Sequence, residues 1–298
     1  MPVPSEMVGA TIGPVTHDVD ARWTMAYAAA LGDTHDCYFD TRRPEGVVAH
    51  PLFPVCPEWP VIVESRRLGD QWGITPDETR RGVHASHDLT IHRSVRPGDT
   101  LTTTLTCIGV EAKRPGAFST LELTTVDAAG EPVATTRQGS MYLGVAVTGH
   151  DRPPPPSALP TWPTSHAAAW EHELVIPIAH GAAHTYTESA RIWNPIHTDA
   201  AVAEAAGLPA IILHGTATLA LAVSAVVDRV AGGRPDRVRR IIGRFGAMVL
   251  MPSDISVRIS EPSALDTWPD PGTTAVTFEV RTAADGPAVD HGVILLGP

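Results

Sequence analysis

The chain has 298 residues, 43% of them hydrophobic and 18% charged, which excludes wholesale disorder and supplies apolar material for one large domain or two small ones. Its formal net charge of −11, from 22 basic and 33 acidic residues, makes it a poor partner for nucleic acid or an anionic membrane. Three widely spaced cysteines, Cys37, Cys56 and Cys107, cannot all pair and have no metal-ligand spacing, which fits a reducing cytoplasm.

The first residues, Met1 to Glu6, lack the basic and apolar stretches of a signal peptide. In the first half, Thr100–Cys107, Ser119–Val126 and Val133–Leu143 are rich in Thr, Leu and Val and read as strands, with Asp127 to Gly130 as a turn. Gly149 to Ser165 follows. Its four consecutive prolines, Pro153 to Pro156, forbid helix and deny donors to a sheet, so the segment reads as a stiff linker. Beyond it, Thr216 to Val230 is a buried Ala/Leu/Val helix stopped by Gly232 and Gly233. Its most apolar part, Thr216 to Val227, is too short to span a membrane. Ile255–Ile259, Ala275–Val280 and Val289–Leu296 are again strands, with a turn at Ala283 to Gly286. A helix followed by antiparallel strands is an α+β pattern.

The two halves repeat weakly. Gly32 to Asp40 can be laid on Arg191 to Asp199, after which Ala49-His50-Pro51 falls near Leu213-His214-Gly215 and Arg96 to Leu101 near Met251 to Ser256. Segments in the same order in both halves point to duplication.

The informative stretch runs from Tyr186 through Glu188, Ile192, Asn194, Pro195 and His197 to Leu213-His214-Gly215. Asn194 and Pro195 suit the cap and first position of a helix, but that account does not require His197. The longer string resembles the signature of the R-specific enoyl-CoA hydratases, the MaoC-like dehydratases, an N-P-x-H followed at a distance by L-H-G. The first half, through His84 to Asp99 with its Ile91-His92-Arg93 and Gly98-Asp99, resembles the dehydratase-type half of two-part members.

The resemblance implies a double hot-dog, each half a central helix wrapped by an antiparallel sheet. The expected units are residues 1–148 and 166–298, with the linker over 149–165. It implies reversible addition of water to 2-enoyl thioesters of coenzyme A or acyl carrier protein, with no cofactor and no metal. The fold leaves room for a homodimer or a partner subunit. His197, Glu188 and Asn194 are the expected catalytic residues, and Gly215, His214 and Tyr186 the expected substrate-binding ones. His and Asp suit such chemistry because their pKa values tune towards neutrality. A glycine N–H opening a helix suits a developing oxyanion.

One position departs from the pattern. The family's catalytic Asp stands where this chain has Ile192. Asp33 holds the corresponding place in the first half, but Tyr38 stands there instead of the histidine. Glu188, four residues before Ile192, is one turn away on the same face if the segment is helical, and is the nearest substitute. The missing Asp keeps two alternatives open: another step such as isomerisation or cyclisation, or a thioester-binding subunit without activity. His84, His87 and His92 fit structural or ligand-proximal roles better than a metal site. Arg237 to Arg240 reads as an exposed cluster before a strand, with nucleotide phosphates or an acidic carrier protein as its other reading.

Overall fold

Ten strands and four principal helices carry the architecture of the computed structural model, which describes residues 2–156, 169–265 and 269–298. In chain order these are β1 (Thr11–Asp18), α1 (Ala21–Ala30), α2 (Val55–Glu64), β2 (Gly82–Ile91), β3 (Thr100–Lys113), β4 (Gly116–Val126) and β5 (Pro132–Leu143). The second half follows with β6 (His172–Ile178), α3 (Ala182–Ala190), α4 (Gly215–Arg229), β7 (Val238–Phe245), β8 (Ser253–Ile259), β9 (Thr274–Thr282) and β10 (Pro287–Leu296).

The strands form one antiparallel sheet in the order β1-β3-β4-β5-β2-β7-β10-β9-β8-β6. Counted from its outer edge, each half therefore places its own strands first, third, fourth, fifth, second. The repeat suspected from a few residues is written plainly in the topology. The halves meet where β2 pairs with β7, Ser86 opposite Arg244 and Thr90 opposite Arg240.

Side-chain alternation explains why the strands form. Along β3, Leu101, Thr103, Leu105 and Cys107 are buried, and along β8 so are Ile255, Val257 and Ile259. The α4 helix lies on the second-half sheet and buries Ala217 to Ala220 and Ala222 to Val227. Its counterpart α2 is shorter and contains Pro60. One hydrophobic cluster joins Trp23, Tyr27, Phe53 and Leu89 of the first half to Leu219, Val226, Ile241 and Phe278 of the second. The halves thus share a core. Among the described residues, no helix is long and apolar enough to cross a membrane.

The α+β expectation holds; the expected strands appear with slightly wider bounds, and the long helix one residue earlier, at Gly215–Arg229. The opening elements β1, α1, β6 and α3 are additions. Asp20, whose side chain accepts the Trp23 N–H at 2.7 Å, is the local signal that starts α1. Residues 149–156 run along β3, where Arg152 bridges to Val110; the rest of the proline-rich linker lies outside the described residues.

The arginine cluster needs correction. Strand β7 already begins at Val238, and Arg240 is buried within it. Its Nε and Nη2 donate to the two carboxylate oxygens of Asp88 on β2, both at 2.7 Å, so it ties the halves together rather than facing solvent.

Glu58 on α2 is 1% exposed and accepts the Thr136 hydroxyl proton at 2.5 Å. Burial pushes its carboxyl up to about 8, with the Thr136 bond opposing. A carboxyl raised in the folded state contributes stability below its unfolded pKa and loses it as pH rises through the folded value. Relative to the Glu58→Gln variant, the native chain should therefore lose stability between about pH 4.5 and 8, by up to about 1.4 kcal/mol per pH unit. Urea unfolding of both chains across that range measures the difference.

Candidate active site

Two corresponding clusters flank the contact between α1 and α3. Tyr27 and Tyr186 share a buried hydrogen bond of 3.2 Å between their hydroxyls at this contact. Asp33 follows Tyr27 by six residues, as Ile192 follows Tyr186; five further on stand Tyr38 and His197. Each segment then leads to a histidine before the central helix of its half, His50 or His214.

In the second half, α3 closes at Ala190 because Arg191 adopts a left-handed φ of 57°. The chain then crosses the domain as a short overhang, with Pro195–His197 in a 3₁₀ turn. Ile192 is buried in the shared core. His197 is 8% exposed, and its backbone N–H donates to the Asn194 carbonyl at 3.1 Å. Its Nδ1–H donates to the Ile212 carbonyl at 2.8 Å, which leaves the Nε2 lone pair unprotonated. Burial pushes His197 down to about 4, the Ile212 bond opposing, so the ring is neutral at pH 7. It stacks on His214 with centroids 3.7 Å apart. His214, at about 2 through burial and the neighbouring His197, shares a 3.1 Å hydrogen bond with the Thr187 hydroxyl.

His214 stands at the N-cap position of α4 without a side-chain cap bond, and Gly215 is the first helical residue. A first-turn N–H has no acceptor within its own helix and faces outward with the positive end of the dipole. A Cβ on Gly215 would meet the Phe245 ring at 3.1 Å, so glycine keeps this approach open. Phe245 in turn packs on His84, centroids 4.6 Å apart, and His84 meets His87 edge-on at 5.5 Å. His92 stands apart, exposed and bonded to Thr135.

Glu188 is exposed on α3. It lines an open cleft of about 320 Å³ with His184, Thr187, Trp193, Asn194 and Thr198. Because α3 ends before Ile192, helical periodicity does not carry Glu188 onto the Ile192 face. Among the described residues no hydrogen bond joins Glu188 to His197. Tyr186 is 1% exposed, its hydroxyl engaged by Tyr27 and Thr216.

The first half holds a histidine that the sequence comparison with Tyr38 missed. The Leu52 N–H donates to His50 Nδ1 at 3.0 Å, so Nε2 carries the hydrogen. It donates to Ser224 Oγ at 3.2 Å, and Ser224 donates to Asp33 Oδ2, also at 3.2 Å. Ser224 lies on α4, so this chain of bonds crosses between the halves. The signal was present in the sequence: Ser224 is the one polar residue between Leu219 and Val227.

Comparison with known proteins agrees with both halves. Residues 163–280 match the MaoC-like domain, and residues 6–136 match the dehydratase domain region described as FAS1-like. The chain is 26% identical over 170 residues to a peroxisomal enoyl-CoA hydratase 2 of Arabidopsis thaliana, covering 55% of this chain and 54% of that protein. This chain thus spans about half of that relative. A MaoC-like dehydratase from Phytophthora capsici superposes with a TM-score of 0.76 at 20% identity, over 97% of this chain and 95% of that one. A Mycobacterium tuberculosis protein described as having a double hot-dog fold superposes with a TM-score of 0.61 at 17% identity, over 97% and 96% of the two chains. The fold is a double hot-dog.

Proposed function

The chain belongs to the MaoC-like dehydratase family, and on that premise we propose that it is a hydratase/dehydratase of 2-enoyl and 3-hydroxyacyl thioesters carried on coenzyme A or acyl carrier protein. The observation that carries the reading is the neutral His197, its tautomer fixed by Ile212, on the segment that leads into the Gly215 helix terminus.

In this reading His197 Nε2 takes a proton from water as the oxygen adds to C3 of the enoyl group, and the enolate oxygen is met by the Gly215 N–H. The imidazolium then returns a proton to C2. Asn194 fixes the overhang through its carbonyl bond to the His197 N–H. Stacked under His197, His214 sets the ring plane, and Tyr186 walls the site from the α1 contact. Glu188 is the local carboxylate of the second half, beside Asn194 in the open cleft. We divide the chain into hot-dog units 1–148 and 166–298 about the 149–165 linker, and place it in a reducing cytoplasm, which its three free thiols support.

The test is turnover of crotonyl-CoA and longer 2-enoyl-CoAs by the purified chain. Accumulation of 3-hydroxyacyl-CoA is expected; its absence across chain lengths and across the matching carrier-protein thioesters overturns the reading. Because His197 lies at about 4, it remains an active base at mildly acidic pH. The His197-dependent rate should hold level from pH 8 to 5 and fall only towards pH 4.

A further inference from the structure

We propose that the first half carries a second acid–base centre for the same class of thioester, with Asp33 as its catalytic carboxylate and Ser224 of the opposite half as its positioning residue. The inference rests on the hydratase/dehydratase reading and locates the carboxylate that Ile192 takes away from the second half.

Geometry supports it first. Asp33 occupies the place equivalent to Ile192, and one of its oxygens is held by the Ser224 hydroxyl, which the His50 Nε2–H orients in turn. The other oxygen, Oδ1, receives no bond in this chain of contacts. Asp33 is half-buried, whereas His50 is 1% exposed and neutral. A cleft of about 570 Å³ opens beside this segment, lined by His35, Cys37 and Val48, chain neighbours of Asp33, Tyr38 and His50, and by Gly233 beyond the end of α4; the four residues of the proposed centre lie behind that lining rather than in it. Arg43, Arg96 and Arg234 also line this cleft with Asp36, Glu45 and Asp236, Arg43 pairing with Glu45 and Arg234 with Asp236; their guanidinium groups are the cationic groups that would meet the phosphates of a coenzyme A or phosphopantetheine arm.

A second observation concerns the oxyanion donor. Where Gly215 follows His214, Pro51 follows His50, and proline has no N–H to offer. Tyr38, in the place of His197, supplies what is missing. It is fully buried, its ring lies 6.1 Å from that of His50, and its hydroxyl has no hydrogen-bond partner among the described residues. Buried hydroxyls without partners are uncommon, and one beside an acid–base pair fits a ligand oxygen.

Electrostatics agree. Burial lifts the Asp33 carboxyl to about 6, opposed by the Ser224 bond, raised further by Asp228 and opposed by His35. The other titratable groups around it are Cys37 and Tyr38 of its own segment, Tyr27 of α1 and, through Ser224, His50. A carboxyl near neutrality accepts and returns a proton readily.

The step balances with water alone. The Asp33 carboxylate takes one proton from water while the C–O bond forms at C3. The C2=C3 electron pair moves towards the thioester carbonyl, whose oxygen accepts the Tyr38 hydroxyl hydrogen bond. The carboxylic acid then gives its proton to C2.

The experiment compares His197→Ala with the same chain carrying in addition Asp33→Asn, Ser224→Ala, Ser224→Thr or Tyr38→Phe, on crotonyl-CoA from pH 5 to 8. The turnover that remains in His197→Ala, carried by the first half, should show a step near pH 6. Adding Asp33→Asn should remove that step and lower the remaining kcat at least about tenfold at pH 7. In the same background Ser224→Ala should move the step to higher pH, and Ser224→Thr should restore it. Asparagine is isosteric and uncharged, so thermal unfolding of Asp33→Asn at pH 8 should be no lower than native. An unchanged pH step and kcat on adding Asp33→Asn to a folded His197→Ala chain overturn the proposal. If the native chain turns over no thioester, the hydratase reading fails by itself. Calorimetry of butyryl-CoA binding near pH 6, in two buffers of different ionisation enthalpy, then decides the site. Proton exchange lost in Asp33→Asn supports it, and equal exchange in both chains, or none, overturns it.

Discussion

Replacing His197 with alanine is expected to lower turnover of a 2-enoyl thioester by a factor of about 10² or more, the usual cost of removing a general acid–base group. The structure explains why no neighbour substitutes. His214 lies 3.7 Å away, but burial and the adjacent ring hold it at about 2, and its Nε2 is engaged by Thr187. Asn194, Ile212 and the 3₁₀ turn remain in place without the imidazole, so the loss falls on kcat more than on KM. Steady-state kinetics on His197→Ala at pH 7, with unfolding curves to show that the fold persists, measures it. Glu188→Gln is a companion measurement in the second half, where impaired turnover is expected if the exposed acid serves His197. A full effect at Asp33 with none at Glu188 assigns the working carboxylate to the first half.

A second large effect, on stability at a fixed pH, is expected at the seam. Asp88→Asn removes the charge that meets the Nε and Nη2 donors of Arg240, whose side chain is 6% exposed. Losing one partner of a buried pair leaves the other charge poorly compensated, typically at 3–5 kcal/mol. The Asp88 side chain is 27% exposed, so water recovers part of this, and about 2–3 kcal/mol is expected. Because β2 and β7 belong to different halves, the cost should appear as one cooperative transition at lower urea. Two separated transitions would show that the halves unfold independently despite their shared core.

How much of this was legible in the sequence depends on how local the signal is. The long strands and α4 could be read because alternation and apolar composition are carried within each segment. The order of strands was not, since pairing β2 with β7 needs contacts 152 residues apart, such as Arg240 with Asp88. That same distance made Arg240 look like a surface charge. At the site, Asn194, His197 and Gly215 were legible as a motif. The place of Glu188 was not, because the residue that ends α3 is an arginine in a left-handed conformation, where glycine is the usual signal. Asp33 is legible by its place in the repeat, but the repeat puts Tyr38 where a histidine would stand. The structure instead supplies His50 through Ser224, a partner 191 residues from Asp33.

The most direct test of the account is the fate of solvent atoms during turnover. Crotonyl-CoA is incubated with the native chain in heavy-oxygen, deuterated water, and the acyl group is read by mass spectrometry. Reversible hydration predicts heavy oxygen at C3 together with one deuterium at C2 in the 3-hydroxybutyryl product. Deuterium appearing without oxygen would mark an isomerase, and an acyl group that binds yet gains neither would mark a thioester-binding subunit; either result contradicts the hydratase account.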